Sequence, residues 1–196
     1  MTESSIKNLN LARVCYKEGK ETDALAYYAL VMDEEPENAE ANYFCRYFDF
    51  QESIEKKEGV KDSLLFLINS LEKAIKYVAD DGCSKGEKMA VVKAIVNTYT
   101  PVTDFVTSSR ISTSKDTIEN GVLSLYWLGS YIKNNFNSDS DAMKLAIIPW
   151  KEAVKLQQKF YAYKYEGYKA ENYVAEIQKV DPSFTIPKKA GCVSKG

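Results

Sequence analysis

Apolar side chains in this 196-residue sequence return every third or fourth position, and no stretch sustains alternation of apolar with polar residues. The first pattern gathers side chains on one face of a helix, whereas the second would mark a half-buried strand. A chain patterned this way has to build its core by packing helix on helix. Turn-forming residues agree. Nine Gly and five Pro make up about 7% of the chain against roughly 12% in average usage, too few for the many turns of an all-β fold.

The spacing predicts about eight helices. Leu9, Leu11, Ala12, Cys15 and Tyr16 share a face that Gly19 ends, and Thr22 or Asp23 is positioned to cap a second helix carrying Ala24, Leu25, Tyr28, Val31 and Met32. Pro36 closes that hairpin, because the residue before a proline is pushed out of helical dihedrals. A third helix is expected over about Glu37–Glu55, with Ala41, Phe44, Cys45, Phe48 and Ile54 inward, and a fourth from Asp62 or Ser63 to Asp80. Ser84 and Glu87 have capping-box spacing for a fifth helix, reaching about Thr107, in which Pro101 predicts a kink or break near Thr98–Thr100. A sixth is expected over Lys115–Asn134. A seventh, capped by Ser138 and Asp141, reaches about Tyr165 with a bend at Pro149, and an eighth spans about Lys169–Val180.

Composition excludes several classes. A net charge of −2 does not suit a typical nucleic-acid binder, and 45% hydrophobic content does not suit a disordered chain. Charge is uneven: residues 1–60 hold 13 acids and 7 bases, residues 151–196 hold 5 acids and 9 bases. Such polarity steers a partner or a second copy toward one end. His is absent, which removes the commonest general base and metal ligand. Cys15, Cys45, Cys83 and Cys192 include no CxxC pair, so neither a zinc site nor a disulfide framework is expected, and no cofactor is implied. With no secretory pattern and no apolar run of spanning length, the expectation is a cytoplasmic chain without a membrane or nucleic-acid partner.

Within Asn8–Asn38, Leu11, Ala12, Gly19, Ala24, Tyr28 and Pro36 fall at fixed offsets. Ala12 and Ala24 are small enough for two antiparallel helices to approach closely, Tyr28 fills the remaining gap, and Pro36 ends the unit. This segment resembles the tetratricopeptide repeat family. Asn8 and Cys15 depart from it, standing where the family has a large aromatic and Tyr. Val154, Gln158, Tyr161, Ala170, Ile177, Asp181 and Pro182 resemble a second, degenerate unit. The resemblance implies an all-α fold of antiparallel hairpins in a right-handed superhelix with an irregular middle. Residues 1–182 would form one domain, with the best repeat at 5–38, a degenerate one at 152–182, and a flexible tail at 183–196.

In that family the first helix of each hairpin lines a concave groove. Mapped here, the groove would display Asn10, Arg13 and Lys17, then Tyr43, Tyr47, Phe50 and Gln51. The resemblance therefore implies a non-catalytic interaction or scaffold module that binds a protein or peptide. Exchanging Arg13 or Tyr47 is expected to abolish capture with little change in melting temperature. Self-association is the alternative, followed by a small-ligand site or enzyme built between the middle helices. A cluster of Tyr161, Tyr163, Tyr165, Tyr168 and Tyr173 offers amphipathic contact area or hairpin packing. Gly82–Lys88 departs from a phosphate loop in its glycine spacing, and Asn137–Asp141 lacks the glycine and glutamate of a calcium loop, so both read as helix starts.

Overall fold

The computed structural model describes residues 1–108, 115–137, 139–159 and 170–186. Among them the fold is all-α: α1 (Glu3–Lys17), α2 (Glu21–Glu34), α3 (Ala39–Lys56), α4 (Val60–Asp80), α5 (Lys85–Thr107), α6 (Lys115–Asn135), α7 (Ser140–Lys159) and α8 (Ala170–Gln178). Two compact units divide between Thr98 and Tyr99, within α5. Tyr161, Tyr163, Tyr165 and Tyr168, and the tail beyond Ile186, lie outside the described residues.

In the first unit, links of three residues join α1 to α2 and α3 to α4, and connections that short fold consecutive helices back antiparallel. The α1 exit shows why. Gly19 takes φ +75°, a left-handed conformation open to glycine. Its amide donates to Tyr16 O and that of Lys20 to Cys15 O, satisfying two orphan carbonyls. The turn runs straight into α2 from Glu21, so Thr22 and Asp23 lie in the first turn instead of capping it. Asn38 caps α3 by accepting the Ala41 amide at 3.0 Å, and Ser84 and Glu87 bond reciprocally at the start of α5.

Ala12 and Ala24 are both fully buried where α1 packs on α2, and Tyr28 is buried beside them. Tyr28 stacks on Phe44 with centroids 4.6 Å apart, and Tyr16 reaches the same ring at 5.0 Å. Burying a side chain of that size contributes about 1.5–3 kcal/mol. Tyr43 pairs with Thr98 through their hydroxyls. Side chains of α1 and α5 thus reach α3 through Tyr16 and Thr98, while α2 and α4 pack against it.

In the second unit α6 packs on α7, and α7 on α8. Trp150 donates Nε1–H to Tyr126 O at 3.0 Å. Its indole occupies the space left by Gly129, where an added Cβ would come within 2.4 Å of the ring and 2.7 Å of Ala146 O. Asp139 caps α7 through the amides of Asp141 and Ala142, while Ser138 lies outside the described residues. Pro101 and Pro149 are both carried inside continuous helices, so the expected break near Thr98–Thr100 does not interrupt α5. No helix among the described residues is long and apolar enough to cross a membrane.

Candidate functional site

The seven residues expected to line a groove separate into three groups. Tyr43 and Phe50 are wholly buried and Tyr47 nearly so, which corrects the aromatic half of the expected groove: these rings are core. The cause is the position of α3. It packs against α2 and α4 and also reaches α1 and α5 through side chains, so it buries most of its circumference and not one stripe. Gln51, half-buried, donates to the Tyr47 hydroxyl at 2.8 Å.

Arg13 forms the second group. Its Nε and Nη2 donate to the two carboxylate oxygens of Glu40 at 2.9 and 2.6 Å. Nη2 also reaches Asp81 Oδ2 at 3.0 Å, and Nη1 reaches Cys83 Sγ at 3.3 Å. The Cys83 thiol in turn donates to Asp81 at 3.1 Å. Beside this set, Asn38 Nδ2 donates to the Tyr77 hydroxyl at 2.9 Å. Three parts of the chain, α1, the start of α3 and the α4–α5 link, are tied through one guanidinium.

Its electrostatics follow from burial. Glu40 is fully buried, and burial pushes its carboxyl upward while Arg13 pulls it back. Burial also opposes the Arg13 charge, but the bonds and charge of Glu40, then Asp81 and Cys83, hold the guanidinium protonated beyond its ordinary range. For Asp81 burial is again outweighed, by Arg13 and Cys83, and the carboxyl falls below its usual value. Burial and Asp81 raise the Cys83 thiol, which keeps it protonated and a poor nucleophile. This is a structural clasp. The expectation that Arg13 can be exchanged at little cost in stability does not fit a residue that neutralises a buried acid.

Asn10 and Lys17 make up the third group. Both are exposed on α1, with Ile6 and Val14 at helical spacing beside them. Ile6 is 48% and Val14 51% exposed, so this stripe presents apolar area flanked by a carboxamide and an ammonium. Sequence reasoning placed Asn10 and Lys17 with Arg13 in a concave groove and passed over Ile6 and Val14. Their signal was present, as two branched apolar residues off the face set by Leu9 and Ala12.

A cavity of about 290 Å³ lies in the second unit among α6, α7 and α8, lined by Ser130, Lys133, Asn134, Trp150, Asn172, Tyr173 and Glu176. Lys133 and Glu176 pair across it at 2.9 Å, and Tyr173 meets Trp150 edge-on with centroids 5.4 Å apart. Among the described residues no group of three or more Cys, Asp or Glu is placed to hold a metal ion. No protein-family model, curated protein or solved structure matches the chain.

Proposed function

We propose that this chain is a non-catalytic interaction or scaffold module, tetratricopeptide-like in its first hairpin, which holds a protein or peptide partner against α1. The observation that carries the reading is the stripe of Ile6, Asn10, Val14 and Lys17, apolar and polar together, on the outward side of a helix whose inward side is fixed. Leu9 and Ala12 anchor that helix in the core, and Arg13 clasps it to α3. A partner would therefore meet a surface already ordered, avoiding the entropy cost of arranging it. The buried Ala12 and Ala24, and hairpins that follow one another as α1–α2 and α3–α4, support the repeat-like reading.

The test is site-specific photo-crosslinking in extract of the native host. A benzophenone amino acid replaces Asn10 in one variant and Glu72, exposed on α4, in another. The expected result is a discrete adduct from position 10 alone, lost when Val14→Asp is added without change in circular dichroism. Equal capture from both positions, or an adduct indifferent to Val14→Asp, refutes the reading. A small-ligand site is the second reading, supported by the cavity beneath Asn134, Asn172 and Tyr173.

A further inference from the structure

Two further helix faces stand out for composition, one in each unit. α2 carries four acids, Glu21, Asp23, Asp33 and Glu34, and no base. Its outward side exposes Leu25, Ala26, Ala29 and Leu30, with Leu25 36% and Leu30 46% accessible. Spacings of one, four and five residues set the two small alanines between the two leucines. The result is a shallow apolar seat rimmed by carboxylates. Glu34 is kept ionised by hydrogen bonds from the Thr2 and Ser4 hydroxyls at 2.6 and 2.7 Å.

The outward side of α7 has the opposite character. Ile148 is 49% exposed. Lys144 and Lys155 lie one turn before and two turns after it on the same side, with Lys151 and Lys159 flanking. Asp141 and Glu152 are the acids of this helix, and Asp181 beyond α8 pairs with Lys151 at 2.6 Å, so four lysines face three acids. Asp141 bonds Lys144 and Glu152 bonds Lys155, each at 3.0 Å. Such exposed pairs at short spacing are worth only a few tenths of a kcal/mol and exchange readily for other partners.

We infer that the two faces fit each other between copies: the Ile148 ridge of α7 in one molecule seats between Leu25 and Leu30 on α2 of a second, its lysines meeting the acidic rim. Alanines at the contact let two helix axes approach closely, and the branched Ile148 is the shape that fills the space between two leucines. Charge complementarity selects this occupant over a second α2, which would set four acids against four. The contact is heterologous: each molecule uses one face and leaves the other open, so it propagates until a ring closes. A single helix crossing buries less than a standard interface, so the association is weak and concentration-dependent. These faces are separate from the α1 stripe, and the inference stands or falls independently of the partner proposed there.

The test is sedimentation velocity on the full chain from about 10 μM to 1 mM, a range chosen for a weak contact, at low and high salt. The expected result is a weight-average mass that climbs above 22.2 kDa with concentration and climbs several-fold less at high salt, where exposed charges are screened. Ile148→Asp and Leu30→Asp should each hold the chain monomeric with unchanged circular dichroism. Charge reversal on α2 (Glu21→Lys with Asp33→Lys) or on α7 (Lys144→Glu with Lys155→Glu) should weaken association. All four changes in one chain should restore it, which loss of folding could not do. A mass of one chain at every concentration overturns the inference, as does association that survives Ile148→Asp. A monomer whose α2 face instead binds polylysine, sensitive to Leu30→Asp, overturns it in favour of a basic partner.

Discussion

Replacing Arg13 with Met tests the clasp most directly. Methionine keeps the apolar stem and removes the charge that neutralises Glu40, a carboxylate with no solvent exposure. Breaking a buried pair by removing one member costs about 3–5 kcal/mol, a large part of the 5–15 kcal/mol that holds a typical domain together. The cost carries a signature in pH. The Glu40 carboxyl is already raised by burial with Arg13 in place, and without Arg13 burial and the Asp81 charge, opposed only by the Tyr28 hydrogen bond, raise its folded pKa further above the unfolded value. Between those two values the folded chain binds more protons than the unfolded one, so stability falls as pH rises, by about 1.4 kcal/mol per unit. The variant should thus be closer to the parent at pH 5 than at pH 8. Arg13→Met/Glu40→Leu removes both charges and should recover most of the loss, since Asp81, 22% exposed, can turn to water. Urea unfolding followed at 222 nm at both pH values supplies the numbers. A loss below about 1 kcal/mol in the single variant, or a double variant no more stable than the single one, would refute the assignment of Glu40 as a neutralised buried charge.

Two further outcomes can be measured on the same material. Gly129→Ala gains up to about 1 kcal/mol of helix propensity but drives a methyl into Trp150 and the Ala146 carbonyl; overpacking of about 1–3 kcal/mol should win. Its tryptophan-monitored midpoint should fall, while Gly86→Ala, which meets nothing within 4 Å, should leave it unchanged or raise it; a stabilised Gly129→Ala would contradict the packing described. The Asp181 carboxyl accepts from Lys151 at 2.6 Å and is lowered to about 2, with the Ser183 hydroxyl as the next cause. Its stabilising effect is present above the unfolded carboxylate value and fades as pH falls toward about 2. A carboxyl ¹³C titration of Asp181 centred near 4 would show that the pair does not form in solution.

Helix number and the first hairpin were legible because both are local. Ala12, Ala24 and Tyr28 stand at offsets that only close antiparallel helices explain, and all three are buried. Helix ends came within a few residues where a capping side chain, glycine or proline marked them, as at Gly19, Pro36 and Ser84. The failures depend on what packs from a distance. Tyr43, Tyr47 and Phe50 lie off the stripe of Ala41 and Phe44, and only the helices packed around α3 reveal that more of it is covered. Glu40 sits in the first turn of α3, where an acid ordinarily reads as a solvated partner of the helix dipole. Its counterion is 27 residues away, so periodicity cannot mark it. Gly129 is a glycine within a helix whose reason is a tryptophan 21 residues later.

The Arg13–Glu40 pair also serves as an alignment mark. Faces floored by alanine are smooth, and a smooth face lets one rod slip lengthwise past another with little to stop it. Moving α1 by one turn, about 5.4 Å along its axis, would put Leu9 or Lys17 where Arg13 stands, and neither presents the planar fork that meets both oxygens of the acid. A mis-threaded first hairpin is thereby the costlier arrangement, and the stack favours the alignment in which one carboxylate meets its guanidinium at both oxygens.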